Sequence, residues 1–390
     1  MANQKIKRVV RMLDYVTLKF IWFLLIGILM IGFAITGGFD LGVGALLPFL
    51  GKNDEDRRII LNSIGPTWEG NQVWLITAAA ALFAAWPLMY ATFFSTLYIA
   101  FLLVLVALIL RPPGIDFRSK LPSLRWRSTW DYALCFSGFV PIFLFGIAFG
   151  NMFAGFPFRF DNTMMSHSTG GFWQLLTPYT LVFGVASASL LLLHGALFIQ
   201  FKTTELLNRN AARFARRFAL LFILSFLIAL YWTLYKIEGF QIISMPDPNL
   251  ASNPLSKKVA LGVGFWLKNF QQYPLGILAP IFSMLGVILA FGFSIKERPG
   301  LALICNAFAI MSVIVTALFT LFPFVLPSIS FPDHSLTVWN SVSSQLTLAW
   351  MFWATIILLP IVICYTSWVY WVMRGKVVKD HIETHGKSLY

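Results

Sequence analysis

Charged residues are scarce in this chain, and cysteine and histidine are scarcer still. Only 12% of its 390 residues are Asp, Glu, Lys or Arg, about half the share of a soluble domain. Hydrophobic residues make up 58% of the chain, and the mean hydropathy is +0.77. A soluble fold of this size could not bury so much apolar surface. The composition argues against a soluble enzyme, a disordered chain or a disulfide scaffold. It indicates an all-α polytopic membrane protein.

The few metal-ligating residues argue against several cofactor classes. The cysteines, Cys135, Cys305 and Cys364, lie far apart inside apolar runs, so neither a disulfide framework nor a zinc site is indicated. Of five histidines only His194 lies well inside an apolar run, whereas a bis-histidine haem needs two that face each other. The sequence also has no Walker A loop, dinucleotide fingerprint or HExxH motif. The chain is therefore a poor candidate to hold several haems by itself.

Eight apolar runs are long enough to cross a bilayer, which takes roughly 20 residues. They cover residues 20–49, 72–110, 130–153, 175–201, 218–235, 275–293, 301–326 and 346–373. The second run is long enough for two crossings, or for one crossing with a kink at Pro87. Because the runs are long and continuous, a transmembrane barrel fits poorly. We predict about eight transmembrane helices in one integral membrane domain spanning residues 1–390.

The basic residues predict the topology. The net charge is +13, from 29 Lys+Arg against 16 Asp+Glu. The basic residues fall between apolar runs, which indicates membrane orientation rather than a nucleic-acid partner. With eight single crossings, 21 of the 29 gather on one side together with both termini, which predicts that both termini are cytoplasmic. Splitting the run 72–110 would separate two basic clusters, so we predict one crossing there. The basic loop 202–217 divides the runs four and four, which suggests two four-helix groups.

Ionisable residues at membrane depth are candidates for function, because they are costly to bury. Asp40 lies in the glycine-rich segment TGGFDLGVG, towards the predicted outer end of the first run, and must be paired or protonated there. Glu69 lies at the predicted outer head of the second run, in the segment WEGNQVW, where Trp68, Asn71, Gln72 and Trp74 surround it with indoles and amides. For Asp40 a structural role is an equal alternative. For Glu69 the alternative is an interfacial aromatic belt with an acid at a helix N-terminus.

Three further polar positions lie at ends of the predicted helices. Asp116 and Lys120 follow the second run in RPPGIDFRSK, at its cytoplasmic end, where an acid beside a base could admit protons. A solvated basic loop is the alternative reading. Asp131 opens the third run and could favour its N-terminal dipole. Gln345, with neighbouring hydroxyls, precedes the eighth run and could cap it or contact another helix.

At these positions the chain resembles subunit II of the cytochrome bd-type quinol oxidases. The most specific likeness is WEGNQVW at residues 68–74. Further matching segments are GFDLGVG from Gly38, NSIGP from Asn62, ALFAAWP from Ala81, and the short matches Arg111-Pro112, Gly150-Asn151, His194-Gly195-Ala196 and Phe322-Pro323-Phe324. The likeness therefore extends over most of the chain.

The resemblance implies a haem-free subunit with eight spans that packs on a subunit I. In that family subunit I carries the three haems, of b and d type, and the loop that oxidises quinol. The complex reduces oxygen to water in the bacterial cytoplasmic membrane, takes its protons from the cytoplasm and does not pump. The implied role of this chain is structural and proton-supplying. Membrane lipid and a small accessory subunit are the other partners it suggests.

The resemblance also implies roles for single residues. Asp116 and Lys120 match polar residues near the cytoplasmic proton entry of the family, and Tyr390 is similar to a tyrosine near that entry. Glu69 matches an acidic position further along the route to the haems, where Asp is usual. Asp40 and Arg111 match polar positions that, with Trp68, Asn71, Gln72, Trp74 and Gln345, are structural candidates. Gly37 is a departure, since relatives can carry Asp there.

Two other readings remain open. Eight spans with membrane carboxylates also fit a secondary transporter, although many transporters contain internal repeats and none is visible here. The second reading is a purely structural assembly subunit that has no role in proton transfer.

Overall fold

The computed structural model describes residues 14–377, apart from the side chain of Glu205, and is mainly helical. The α-helices, in chain order, are α1 (Tyr15–Leu50), α2 (Asp54–Ile64), α3 (Trp68–Ala85), α4 (Pro87–Thr96), α5 (Tyr98–Ile109), α6 (Arg111–Phe117), α7 (Leu124–Ala154), α8 (Pro178–Lys202), α9 (Glu205–Tyr235), α10 (Lys268–Gln272), α11 (Leu278–Ile295), α12 (Pro299–Leu321) and α13 (Gln345–Val372).

Three short antiparallel ribbons connect helices. They pair β1 (Phe158–Phe160) with β2 (Ser166–Ser168), β3 (Glu238–Ser244) with β4 (Lys258–Val263), and β5 (Phe324–Leu326) with β6 (Leu336–Thr337).

Within the described residues, eight segments are long and apolar enough to cross a membrane, which confirms the all-α polytopic prediction. They are α1, the α5–α6 segment Tyr98–Lys120, α7, α8, Leu206–Tyr235 of α9, Pro274–Ile295, α12 and α13. Several helices begin earlier than predicted. Helix α9 starts at Glu205 rather than near residue 218. Its first turns are basic and amphipathic, so a search for continuous apolar runs does not detect them.

The prediction of one crossing for residues 72–110 is wrong, because this run doubles back on itself. Asn71 at its start and Arg111 just after its end both reach the same carboxylate, that of Asp40 in α1. The chain rises through α3, turns at Trp86 and Pro87, and returns through α5. With 18 residues, α3 measures about 27 Å, close to the thickness of the hydrocarbon core. It is not among the eight apolar segments named above, so it adds a ninth crossing to the described part of the chain.

This hairpin changes the predicted topology. The Tyr15 hydroxyl donates to the Ser343 carbonyl at 2.8 Å, beside the start of α13. At the other end of α13, the Lys202 ammonium donates to the Met373 and Gly375 carbonyls. The two ends of the described chain therefore lie at opposite ends of the bundle, whereas eight single crossings would bring them to the same end. The termini themselves lie outside the described residues, so their predicted location on one face stays a prediction.

We name the two ends of the bundle by their contents. The arginine end holds Leu50, Arg118, Lys202 and Val372, and the loop end holds Tyr15 and the three ribbons. Asp40 and Glu69 were predicted on the outer side, opposite Asp116 and Lys120. Because α3 starts beside Asp40 and α6 ends beside Arg118, all four residues lie in the half of the bundle towards the arginine end.

Helix packing gives two groups, with a different membership from the predicted four and four. Helices α1, α3, α5 and α7 form one group, and α8, α9, α11 and α12 form the other. Helix α8 is the most enclosed of the spans and joins the groups through α1 and α7. Helix α13 lies at the edge against α1 and α3. At the α1–α8 crossing the backbones of Gly42 and Gly195 touch, since a Cβ on Gly195 would lie 2.5 Å from the Gly42 carbonyl carbon.

Candidate functional site

A buried polar cluster forms where α1, α3 and α13 meet. Asn71 Nδ2 donates to Asp40 Oδ2 over 2.7 Å, and the Tyr370 hydroxyl donates to Asn71 Oδ1 over 2.5 Å. Asp40 is fully buried and Asn71 almost so. We call Asp40, Asn71, Arg111 and Tyr370 the Asp40 cluster. Of the two alternatives predicted for this carboxylate, pairing or protonation, the contacts show the first.

Arg111 completes the Asp40 cluster as a counter-ion. Its Nη2 lies 3.7 Å from Asp40 Oδ2, and the guanidinium carbon lies 5.4 Å from the centre of the Trp68 ring. This is an ion pair longer than a hydrogen bond, combined with a cation–π contact. Arg111 thereby ties the start of α6 to the start of α3, directly next to Glu69.

Glu69 itself faces outward, away from the Asp40 cluster. It is exposed on the described chain, in the first turn of α3, while its neighbours Trp68 and Asn71 are buried. Gln72 is half-buried, and Trp74 packs on α1 at Gly32, where an added Cβ would lie 2.5 Å from its ring. The segment predicted as one polar cluster therefore divides into an inner part that packs and an outer carboxylate.

Asp116 and Lys120 are exposed at the arginine end, on either side of a buried arginine. Neither forms an ion pair within the described residues. Arg118 between them is fully buried and binds Asp131 of α7 through Nε and Nη2, at 2.6 and 3.2 Å. Helix α7 begins at Leu124, so Asp131 lies beyond its first turn and does not act on the helix dipole as expected.

His194 joins three helices and uses both ring nitrogens. Asn306 Nδ2 of α12 lies 3.1 Å from Nδ1, and the Ile35 carbonyl of α1 lies 3.1 Å from Nε2. An amide N–H and a carbonyl oxygen require an accepting Nδ1 and a protonated Nε2, so the ring is neutral. With both nitrogens engaged, the ring does not fit a haem-ligand role.

The remaining predicted positions have simpler surroundings. Gln345 is the first residue of α13, directly after Ser344, whose hydroxyl accepts from the Thr347 N–H and caps the helix. Tyr390 lies outside the described residues. Sequence reasoning missed Tyr370 and the arginine partners of Asp131. Tyr370 lies in an aromatic run without a distinguishing pattern, whereas the Arg118 and Asp131 charges next to apolar runs were a usable signal.

The described residues contain no group of three or more His, Cys, Asp or Glu side chains that could hold a metal ion. At the arginine end, the polar side chains of the described residues are carboxylates, a lysine ammonium and guanidiniums. Such groups can exchange protons or hold charge, and they offer no soft ligand set.

Comparisons with known proteins point to one family. A family model described as cytochrome bd terminal oxidase subunit II matches residues 18–373. The chain is 44% identical over 379 residues to the cytochrome bd-I ubiquinol oxidase subunit 2 of Escherichia coli strain K12, covering 97% of this chain and all of that protein. It is 32% identical over 358 residues to the cytochrome bd ubiquinol oxidase subunit 2 of Bacillus subtilis strain 168, covering 92% and 96%.

A solved structure shares the fold. A chain from the bd oxidase of Geobacillus thermodenitrificans superposes with a TM-score of 0.68 at 17% identity, covering 92% of this chain and 98% of that one. At that identity the likeness shows the fold alone.

Proposed function

Because the chain belongs to the cytochrome bd terminal oxidase subunit II family, we propose that it is the haem-free subunit of a quinol oxidase and conducts protons towards the oxygen-reducing site. The observation that carries the proton role is the outward-facing Glu69 at the same end of the bundle as Asp116 and Lys120. The reaction class is oxidation of a quinol by oxygen, with the electron-carrying groups in a partner subunit.

The haems of the complex, of b and d type, belong to the partner subunit in this proposal. The residues of this chain support that assignment, because His194, the one histidine inside a span of the described residues, has both ring nitrogens occupied by Asn306 and Ile35. When bound in the partner, the haems supply the electron transfer and oxygen chemistry. This chain would supply protein surface and proton-carrying side chains.

The partner subunit I would pack on the face formed by α3 and α13. The large apolar residues exposed on α3 after Glu69 are Val73, Ile76 and Phe83, which are 49–63% exposed. The edge helix α13, which contacts α3, adds large exposed side chains such as Trp350 and Trp368. A carboxylate at the head of an otherwise apolar stripe is costly against lipid. Protein contact would give Glu69 polar partners, and we therefore assign this face to subunit I rather than to lipid.

The arginine end would face the cytoplasm. Of the 23 Lys and Arg residues within the described range, 17 lie towards this end and six towards the loop end, and the positive-inside rule places the richer end in the cytoplasm. This orientation places the described C-terminal end in the cytoplasm and the described N-terminal end outside. The chain would then be a multi-pass protein of the bacterial cytoplasmic membrane.

In the proposed path, protons enter at Asp116 and Lys120 and pass to Glu69 at the face shared with subunit I. Asp116 can take and release a proton at its carboxylate, and the Lys120 ammonium holds a positive charge beside it. Glu69, in the first turn of α3, would accept the proton and release it across the subunit contact. The Asp40 cluster holds the start of α3 in place through Asn71 and Arg111 and does not carry the proton in this scheme.

The test is the Glu69→Gln variant of the intact complex, purified in mild detergent. A second subunit with b- and d-type haem bands should co-purify. The variant should keep those bands but lose most of its oxygen consumption and proton uptake, while Glu69→Asp should keep most of both. If Glu69→Gln retains normal haem content, oxygen consumption and proton uptake, Glu69 is not a relay. A single colourless chain that transports a solute into liposomes would favour the transporter reading instead.

A further inference from the structure

The segment with Asp116 and Lys120 is anchored by a buried guanidinium. Arg118 lies between these two residues and is fully buried. Its Nε and Nη2 donate to the two carboxylate oxygens of Asp131, and Nη2 also lies 3.0 Å from Asp54 Oδ1. One side chain thus joins the turn after α6 to both α7 and α2.

Two more arginines extend this contact into a network. Arg57 of α2 reaches Asp131 Oδ2 at 2.6 Å, and Arg127 of α7 reaches Asp54 Oδ2 at 2.6 Å. Asp131 is fully buried, whereas Arg57, Arg127 and Asp54 are partly exposed at the rim. We call Asp54, Arg57, Arg118, Arg127 and Asp131 the Arg118 network.

Backbone contacts clamp the segment on both sides of Arg118. The Trp126 indole donates to the Phe117 carbonyl at 3.0 Å, and Arg127 Nε donates to the Leu121 carbonyl at 3.1 Å. Before Arg118, α6 packs closely on α7, since a Cβ on Gly114 would lie 2.7 Å from the Leu134 side chain. The exposed Asp116 and Lys120 are therefore carried by a segment whose backbone is held on each side.

We propose that Arg118 and Asp131 are positioning residues for proton uptake. They fix Asp116 and Lys120 at the surface of the arginine end, without themselves carrying the proton. A planar guanidinium binds both oxygens of one carboxylate at once and so sets direction as well as distance, which an ammonium does not do. This inference rests on the proposed function, because it assigns Asp116 and Lys120 to the proton entry.

The test is Arg118→Lys in the intact complex, which keeps the charge but loses the fork. We expect unchanged haem content per complex and a KM for quinol within about twofold of the parent. Oxygen consumption per haem should fall about ten- to a hundredfold, because a misplacement of a reacting group by about 1 Å can cost about 10²-fold in rate. The loss should grow with rising pH, because protons become scarcer and their uptake limits turnover first. Arg125→Lys, an exposed arginine nearby, is the matched control and should behave like the parent.

Two results would overturn the positioning role. One is an unchanged turnover per haem and pH profile. The other is a loss of haem or of assembled complex while the complex that still assembles keeps normal turnover per haem. A merely structural role of Arg118 predicts this second result. If Arg118→Lys does not assemble, Asp131→Asn, which keeps the shape of the partner, provides the same comparison.

Asp116→Asn and Lys120→Met, measured alongside, separate the two proposals. Normal proton uptake in both variants would place the entry elsewhere and refute the proposed path. Impaired uptake in them, with a normal Arg118→Lys profile, would refute only the positioning role.

Discussion

Asn71 donates from Nδ2 to Asp40 Oδ2 over 2.7 Å, and this contact joins the first turn of α3 to the later half of α1. The same amide accepts from the Tyr370 hydroxyl of α13. One buried side chain therefore sets the relative depth of three helices, two residues away from Glu69. An amide suits this place because it presents a donor and an acceptor at once.

Asn71→Leu should therefore destabilise the protein by about 2–4 kcal/mol, because it leaves a buried carboxylate without its donor and a tyrosine hydroxyl without its acceptor. The thermal unfolding midpoint of the purified complex should fall, and turnover should fall with it as α3 shifts. Gln72→Leu changes the half-buried neighbour in the same way and is the control. Equal midpoints for the two variants would contradict the role given to Asn71.

The α3–α5 hairpin shows what the sequence could not supply. Residues 72–110 carry no polar loop, and Pro87 is the main local signal for a turn. The carbonyls freed at Ala84 and Ala85 are bonded by Ser343, from Oγ and from N–H, at 2.5 and 2.8 Å. Because these partners lie more than 250 residues away, no pattern within the run could reveal that it turns.

The candidate site was predictable where its chemistry was local. The segment WEGNQVW and the isolated Asp40 predicted polar groups at membrane depth, and the fold buries Asp40 and Asn71 inside the bundle while it leaves Glu69 exposed. The pairing of Asp40 with Asn71, and of Asn71 with Tyr370, depends on how the helices pack, and Tyr370 lies 299 residues from Asn71. The exposure of Glu69 likewise depends on which face of α3 packs on α1.

His194 and Asn306 should act as one unit that holds α8, α1 and α12 together. His194→Leu or Asn306→Leu should each cost about 1–3 kcal/mol, because each leaves a buried polar partner unpaired. The double variant should cost less than the sum, since the coupling between touching residues is typically 0.5–3 kcal/mol. The measurement is a double-mutant cycle of unfolding midpoints. Additive losses would show that the two side chains act separately. An altered haem spectrum at normal stability would contradict a purely interhelical role.

The loops at the loop end should loosen as the pH falls. Burial lowers the pKa of Lys257 to about 7, against the opposing effect of Asp333. Its ammonium donates to the Pro254 and Asp333 carbonyls at 2.8 Å. The folded loop therefore binds fewer protons than the unfolded chain between pH 7 and 10, and its stability rises with pH in that window.

His334 extends this pH dependence downward. Burial, together with the charges of Lys257 and Arg159, lowers its pKa although Asp333 opposes them, so protonation below pH 6.5 favours the open loop. For Asp333, burial raises the pKa, but the hydrogen bonds from Lys258 and the Val259 N–H, together with the charges of Lys257 and Lys258, outweigh burial and lower the pKa. The stability that Asp333 contributes is therefore lost only in stronger acid. Hydrogen exchange of β4 between pH 6 and 9 is the measurement. Lys257→Met should flatten its pH dependence, whereas Lys258→Met, at an exposed position, should not. A wild-type exchange protection that does not change with pH would contradict this account.

Gly195→Ala should separate α8 from α1. The new Cβ would lie 2.5 Å from the Gly42 carbonyl carbon and 2.6 Å from the Val43 nitrogen. Both atoms are backbone, so no side chain can move aside and the helices themselves must part. Overpacking of this kind typically costs about 1–3 kcal/mol and sometimes more. The shift would also change the level of Asp40 relative to Asn71, since Asp40 precedes Gly42 by two residues. We therefore expect a lower yield of assembled complex, a lower unfolding midpoint and reduced turnover.

Gly292→Ala in α11, where nothing lies within 4 Å of the added Cβ, is the matched control and should resemble the parent. If Gly195→Ala matches it in all three, the α1–α8 contact is not what sets the depth of the Asp40 cluster.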